Sequence, residues 1–446
     1  MGEININGFT GMNNLRPSFY EKKGVALPRL ILNADVDDSG KIAKRDGLTP
    51  FLMLGNAHSL WACEFCMLCA ADGVLYDITN GSTVQIAVIT GDKGEPLDYV
   101  LVEDKVYISN RFWNGVYDPI SRTLSQWGLA CPSGTTLLST DGNLPAGTYH
   151  VTLTNLDTST GAISGNGVIS TITLTDDDSG IQIINRPANS LVWATDSDGY
   201  HFTLVGDVSV IVDIPTVEPL PCFMCSPPPC FSCMTYAFGR IWGAVGDTLY
   251  YSEPFQYGWF RLSTNRFQFD SDISLIAVVA TGLFIGMDNR TVFLEGTEPD
   301  QMRQLNAGAG SIRGTLAYAN NLPELGDILG TPEKGFVDVP VWRTTEGIVA
   351  GNITGKLYNL TKHKLRMGNP KRGASLYRQK NGIFQFLSSA EQGTFGSAKG
   401  GYDSVLRRAV MEGQIEITNL SKYANTSIAG FAEEVTCEHR RGGVLI

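Results

Sequence analysis

One pattern recurs along this chain and constrains its fold more than anything else. An apolar run meets a tight turn of small polar residues, and a second run follows that ends in an aromatic. The first copy is Phe65-Cys66-Met67-Leu68-Cys69, turning at Asp72-Gly73 into Val74-Leu75-Tyr76-Asp77. The second is Lys105-Val106-Tyr107-Ile108, turning into Gly115-Val116-Tyr117-Asp118. Arg240-Ile241-Trp242-Gly243-Ala244 turns at Gly246-Asp247 into Leu249-Tyr250-Tyr251. Gly282-Leu283-Phe284-Ile285-Gly286 turns at Asp288-Asn289 into Thr291-Val292-Phe293-Leu294. A fifth copy joins Gly347-Ile348-Val349-Ala350 to Gly355-Lys356-Leu357-Tyr358. Tyr76 and Tyr117 stand 41 residues apart, and Tyr250 and Phe293 stand 43 apart. A lone hairpin sheet cannot bury both of its faces. A hairpin repeat of about 40–45 residues therefore predicts four-stranded blades stacked around an axis, an all-β β-propeller of about six blades.

The rhythm breaks once, because Tyr117 and Tyr250 are separated by 133 residues. The gap holds Thr-rich alternating runs, Tyr149-His150-Val151-Thr152-Leu153-Thr154, Val168-Ile169-Ser170-Thr171-Ile172-Thr173-Leu174 and His201-Phe202-Thr203-Leu204-Val205. Alternation with Asp-Gly and Ser-Gly turns is the pattern of a small sandwich, and the length suits an immunoglobulin-like module. The expected division is propeller over 1–131, inserted immunoglobulin-like β-sandwich over 132–214 and propeller again over 215–446. The Pro-rich stretch 215–229 reads as a stiff connector. A smaller surplus, 299–329, reads as a long surface loop. The terminal runs Glu3-Ile4-Asn5-Ile6 and Gln414-Ile415-Glu416-Ile417 are candidates to pair and close the ring.

Nothing in the chain carries the spacing of an active site. No G-x-S-x-G, H-E-x-x-H or Walker A sequence occurs, and the five histidines, His58, His150, His201, His363 and His439, are scattered. The acidic groups Asp35-Val36-Asp37-Asp38 and Asp176-Asp177-Asp178 could pair as glycosidase carboxylates. Aspartates in such positions more commonly bond their own turn. Asp196-Ser197-Asp198-Gly199 resembles the start of a calcium loop but has no Glu at the needed distance, so it reads as a hairpin turn. The expectation is no enzyme and no catalytic, cofactor-binding or metal residue. No run reaches the roughly 18 apolar residues of a membrane span. Met1-Gly2-Glu3-Ile4-Asn5 lacks a basic, then apolar leader. Gly2 fits a myristoylation start only in part, since Ile6 stands where Ser or Thr is preferred. With 34 basic and 45 acidic residues, net −11, the chain is not built to grip phosphates.

Nine cysteines need an account. Cys63, Cys66 and Cys69 recur every third residue, and Cys222, Cys225, Cys230 and Cys233 read C-x2-C-x4-C-x2-C. Zinc would suit four thiolates. In a strand, however, residues three apart face opposite ways, which would send Cys66 away from its neighbours. The second cluster is also tighter than a zinc ribbon. Buried thiols replacing small hydrophobes are the leading reading, with disulfides and metal as alternatives.

The N-terminal segment adds a resemblance. Phe9-Thr10-Gly11-Met12-Asn13-Asn14-Leu15 precedes Asn33-Ala34-Asp35-Val36-Asp37-Asp38-Ser39-Gly40-Lys41-Ile42-Ala43-Lys44-Arg45-Asp46-Gly47. Together they resemble the opening of bacteriophage virion proteins of the tail-nozzle type. Those have a G-x-N-N segment, an N-x-D-x-D-x-x-G-x-[LI]-x-x-R-x-G stretch and then propeller blades. Gly239-Arg240-Ile241-Trp242 with Leu249-Tyr250-Tyr251-Ser252-Glu253-Pro254, and Gly282 through Gly296-Thr297-Glu298-Pro299, look like the central blades of the same proteins. An insertion after Trp127-Gly128 and Pro132 also fits. The match covers roughly 8–310 and is loose beyond; the cysteines at 222–233 depart from it. The resemblance implies a structural virion protein of a short-tailed phage, assembled in the host cytoplasm. It implies a homo-oligomeric ring, typically a hexamer, below the portal and adaptor, contacting tail fibre or spike proteins. DNA would pass during ejection without stable binding, and no stable membrane binding is implied. A receptor-binding or fibre-anchoring tail protein and a glycan-degrading propeller enzyme are the alternatives.

Overall fold

The computed structural model describes residues 51–177, 179–215, 218–319, 338–362, 370, 372–380 and 383–390, with strand segments at 8–9, 25–26, 34–36, 41–44, 431–436 and 439–445. Among the described residues, every regular element but one short 3-10 turn, Pro299–Gln301, is a strand. No helix among the described residues is long and apolar enough to cross a membrane.

Five four-stranded antiparallel sheets follow one another, each laid down in simple up-and-down order. The first uses Ala57–Ala62, Met67–Ala71, Val74–Asp77 and Val84–Val88. The second uses Asp98–Val102, Lys105–Ser109, Asn114–Asp118 and Thr123–Ser125. The third uses Cys233–Ala237, Arg240–Val245, Thr248–Tyr251 and Arg266–Gln268. Ile273–Val279, Gly282–Met287, Arg290–Glu295 and Arg303–Ala309 make the fourth. Ala317–Ala319, Val339–Thr344, Gly347–Gly351 and Leu357–Asn359 make the fifth. The first four repeats read from the sequence are the second and third strands of a blade, and the fifth, at 347–358, is the third and fourth strands of its blade. The Asp72-Gly73 turn is left-handed at both residues (φ 51° and 82°), the twist a two-residue hairpin turn needs.

The fourth blade shows why its strands are apolar without alternation. Successive side chains leave a strand on opposite faces. Leu283 and Ile285 pack with Trp242, Leu249 and Ile276 between the third and fourth blades. Their neighbour Phe284 packs with Phe293, Trp342 and Val349 between the fourth and fifth. A blade with a neighbour on each side has no face left for water. Similar clusters join the first blade to the second through Leu68, Leu75, Val106, Ile108 and Tyr117. Val100, Trp127, Phe231, Ile241 and Phe260 join the second to the third. The outermost strands Thr123–Ser125 and Arg266–Gln268 are mostly exposed.

Beyond the fifth blade, the hairpin Gly373–Lys380 with Ile383–Ala390 lies beside Ala317–Ala319, and Tyr377 joins the cluster of Val341 and Ala350. A last hairpin, Phe431–Thr436 with His439–Leu445, lies between that hairpin and the innermost strand of the first blade, Ala57–Ala62. The two hairpins fill a sixth sector and bring the ring back to its start, giving an all-β propeller. The runs at 3–6 and 414–417 expected to close it lie outside the described residues. The surplus 299–329 is not a surface loop over its described part. It supplies Arg303–Ala309, a polar outer strand, and Ala317–Ala319, a short inner strand.

Between the second and third blades the chain leaves the ring and builds two facing sheets. Thr136–Leu144, Ser179–Ile184 and Val210–Ile211 form one; Ser170–Leu174, Gly147–Asn155, Ser190–Ala194 and Thr203–Gly206 form the other. Tyr149, Val151, Leu153, Ile181, Val192 and Ile211 fill the space between them. This is a seven-stranded sandwich, but its order differs from the immunoglobulin one. The third strand stays in the sheet of the second, where the immunoglobulin fold places it opposite. Thr-rich alternation encodes two facing sheets and leaves their connection order open. Both ends of the insert are tied to the third blade. Trp127, 2% exposed, gives its indole N–H to Tyr257 O at 2.8 Å. Trp259 Nε1 reaches across to Ile163 O at 2.8 Å. The returning segment bonds along the last long strand, Leu204 N to Glu218 O and Leu220 N to Phe202 O, and then meets Phe260 through Ser226.

Candidate functional site: the axial charge cluster

The first strand of each blade lies innermost, and the residues just before it reach one end of the axis. Glu95 precedes Asp98–Val102, Asp272 precedes Ile273–Val279, Arg313 precedes Ala317–Ala319, and Arg372 precedes Gly373–Lys380. Turns between second and third strands add Arg111 and Asp288. Arg111, Arg313, Arg372, Asp272, Asp288, Ser274 and Ser311 line a cavity of about 480 Å³, with Ile273 and Pro370.

The cations are tied down from several blades. Arg313 Nη1 meets Glu95 Oε1 at 2.7 Å and its Nη2 meets Ser232 O at 2.8 Å, so one guanidinium links the second, third and fifth sectors. Both partners are nearly covered, at 16% and 15% exposure. Arg111, half exposed, is a second partner of Glu95 at 3.4 Å. Arg372 Nη1 bonds Gly94 O at 3.0 Å. Ser274 Oγ and Ser311 Oγ share a hydrogen bond of 2.7 Å. Just below, Asp98 accepts the Met234 N–H at 2.8 Å, and burial pushes its carboxyl pKa up against the pull of that bond and of Arg313. Guanidiniums stay charged in proteins and do not transfer protons. The arrangement is suited to holding sectors together and to hydrogen-bonding a polar chain or ion at the mouth.

The acidic turns singled out in the sequence bond their own surroundings. Asp177 accepts the Ala146 N–H, and Asp198 accepts the Thr148 N–H. Asp35-Val36 belongs to a short strand, and Asp37 and Asp38 lie outside the described residues. His58 contacts Lys93 O at 2.8 Å, and burial lowers its pKa. His150 contacts Thr171. Side chains of His363 and His439 lie outside the described residues.

The cysteines divide differently from the sequence reading. All eight within the described residues are free thiols. Cys63 and Cys66 are not on one strand; they flank the turn between Ala57–Ala62 and Met67–Ala71, with sulfurs 3.7 Å apart. The alternation argument therefore fails for that pair, because the chain reverses between them. Cys69 faces His58 O instead. The second group also disperses. Cys225 lies near Cys131 and Arg261, whereas Cys233 lies near Asp98 and Ile273 O. Among the described residues, no group of three or more His, Cys, Asp or Glu is placed to hold an ion.

Sequence spacing missed the axial cluster, since Arg372 and Gly94 are 278 residues apart. The signal that could have found it is a charged residue just ahead of four of the inner strands, Glu95, Asp272, Arg313 and Arg372.

No protein family and no curated protein matches this chain by sequence. Among solved structures, BBS1N in complex with ARL6DN is similar at a TM-score of 0.32 and 10% identity, over 77% of this chain and 92% of that one. The Neurospora crassa Pan2 WD40 domain gives 0.27 and 10%, over 76% and 90%. Citrobacter koseri AztD gives 0.24 and 11%, over 79% and 92%. These likenesses are distant, and the propeller stands on the chain's own sheets.

Proposed function

We propose that this chain is a structural virion protein, a tail-nozzle subunit that assembles with copies of itself, six in our reading, into the conduit through which DNA leaves a short-tailed phage. The observation that carries the reading is an order of parts. The Phe9–Leu15 and Asn33–Gly47 segments come first, two blades follow, and a sandwich interrupts the ring after Trp127-Gly128. Two features suit it. A ring stapled across sectors by Arg313 and Glu95 is a stiff wedge for packing against copies. A net charge of −11 disfavours adhesion to a passing polyanion.

In this reading the portal and adaptor bind one end of the assembled ring, and fibre or spike proteins bind its flank. The sandwich is the natural flank contact, because it is anchored at both ends. Across its three-stranded sheet, Leu138 and Val210 are exposed apolar groups on either side of the exposed Gln182. That row favours fibre anchoring as the second reading. Native mass measurement and negative-stain imaging of the purified protein, alone and with portal and adaptor, test the proposal. Rings of uniform copy number that bind the adaptor end are expected. A protein that stays monomeric with both partners present, or that binds duplex DNA tightly at physiological salt, overturns the conduit reading. Release of sugar from host glycan would favour the enzyme alternative.

A further inference from the structure

The hairpin tip of the first blade carries a feature that ring assembly does not use. Cys63 and Cys66 flank the two-residue tip Glu64-Phe65, and the Cys63 N–H bonds the Cys66 carbonyl at 2.9 Å. Residues paired directly across a hairpin project to the same side of the sheet. The two sulfurs accordingly touch at 3.7 Å in a thiol–thiol hydrogen bond. Cys63 is half-buried and Cys66 is buried. We propose that Cys63 and Cys66 are a redox-active dithiol that low-molecular-weight disulfides, such as glutathione disulfide, convert to an intramolecular disulfide.

The chemistry divides between the two positions. The Cys63 thiolate attacks one sulfur of glutathione disulfide, forming a mixed disulfide and expelling one glutathione thiolate. Cys66 then attacks the Cys63 sulfur and expels the second glutathione thiolate, which takes up the Cys66 proton. Two protein thiols are oxidised and one disulfide is reduced to two glutathiones. Rotation of the side chains must bring the sulfurs from 3.7 Å to the bond length of about 2.0 Å. Only Cys63 must be reached from solvent; the resolving step is internal.

The electrostatics of the pair agree with this division. The hydrogen bond from Cys66 brings the Cys63 thiol down to about 7, helped by the Phe65 and Cys66 backbone and opposed by burial and Glu64. The same hydrogen bond raises Cys66, together with burial, the Cys63 charge and Asp77. Burial pushes up every other thiol with a resolved shift, Cys69 to about 11 and Cys222 and Cys233 to about 12. A partly exposed thiolate beside a second thiol is the arrangement of a reactive cysteine; a buried thiol is inert.

The test oxidises the folded full-length protein with glutathione disulfide and reads intact mass and fragmentation. Loss of two hydrogens, with the link placed between Cys63 and Cys66, is the expected result. The Cys66→Ser variant should stop at a glutathione adduct on Cys63, and Cys63→Ser should give neither product. An independent measurement uses the wild-type protein alone. With iodoacetamide at neutral pH, Cys63 should alkylate at least about tenfold faster than Cys230, a half-buried thiol with no cysteine partner among the described residues. Absence of the mass loss, a link between other cysteines, or alkylation of Cys63 no faster than Cys230 overturns the proposal.

Discussion

Replacing Arg313 by Met tests whether the axial cluster holds the ring together. Arg313 makes two charge-assisted hydrogen bonds, to Glu95 Oε1 at 2.7 Å and to Ser232 O at 2.8 Å. Hydrogen bonds to charged groups contribute about 1.5–3 kcal/mol each, so the gross loss is about 3–6 kcal/mol. Two features reduce it. Glu95 keeps Arg111 at 3.4 Å, and because Arg111 is half exposed this longer pair contributes about 0.2–1 kcal/mol. Met also fills part of the vacated space and covers apolar wall. The expected net loss is about 2–4 kcal/mol, read from urea unfolding followed by tryptophan fluorescence. A cycle with Glu95→Gln should show a coupling of about 1–3 kcal/mol. Arg290→Met is the control, since Arg290 and Asp270 pair at 3.1 Å while 42% and 51% exposed, and a change within about 0.5 kcal/mol is expected. A loss at Arg313 no larger than at Arg290, or zero coupling with Glu95, would refute the idea that this staple holds the sectors together.

Three further outcomes follow from other contacts. Trp127→Ala removes a fully packed ring and the tie to Tyr257 O, and should cost about 3–5 kcal/mol. Limited proteolysis should then cut between Trp127 and the sandwich, where the wild type resists. Tyr117→Phe removes the phenol hydrogen bond to the buried Asp77 carboxylate at 2.9 Å and should cost about 1–3 kcal/mol by urea unfolding, with unchanged secondary structure by circular dichroism. Asp98 concerns pH. Burial raises its pKa, so the folded state holds its proton longer than the unfolded chain does. Its stabilising contribution is complete below the ordinary 3.8 and is lost as pH rises through the folded value. Asp98→Asn cannot ionise, so the stability of the variant relative to wild type should increase upward from about pH 4 and then level off. A difference that is flat with pH, measured by urea unfolding across the range, would contradict the burial of this carboxyl.

The blades were legible because a blade interface leaves a local trace. Leu283, Phe284 and Ile285 face two different neighbours in turn, so both faces demand apolar residues and the hairpin reads as a continuous run. The sandwich was legible as a break in that rhythm, with Thr152 and Thr154 alternating beside Val151 and Leu153. Its strand order was not, because pairing Gly147–Asn155 with both Ser170–Leu174 and Ser190–Ala194 depends on the path of the loops between them. The polar run Arg303–Ala309 resembles a loop in sequence for a related reason. An outermost strand has water along one edge and needs little apolar surface.

The axial cluster left no such trace, and the reason is geometric. A propeller brings together one position per blade, so its charged partners are separated in sequence by whole blades. Glu95 and Arg313 lie 218 residues apart, a distance across which no spacing rule operates. What the chain does preserve is phase. Glu95, Asp272, Arg313 and Arg372 each stand a few residues ahead of an inner strand, where an exposed edge could carry any polar residue. Opposite charges in that phase attract across the axis rather than along the chain. The same logic explains Cys63 and Cys66. Three-residue spacing means opposite faces within a strand but direct contact across a turn, and the Glu64-Phe65 tip decides between them. In this chain the position of each turn, and not residue spacing alone, sets which side chains share a face.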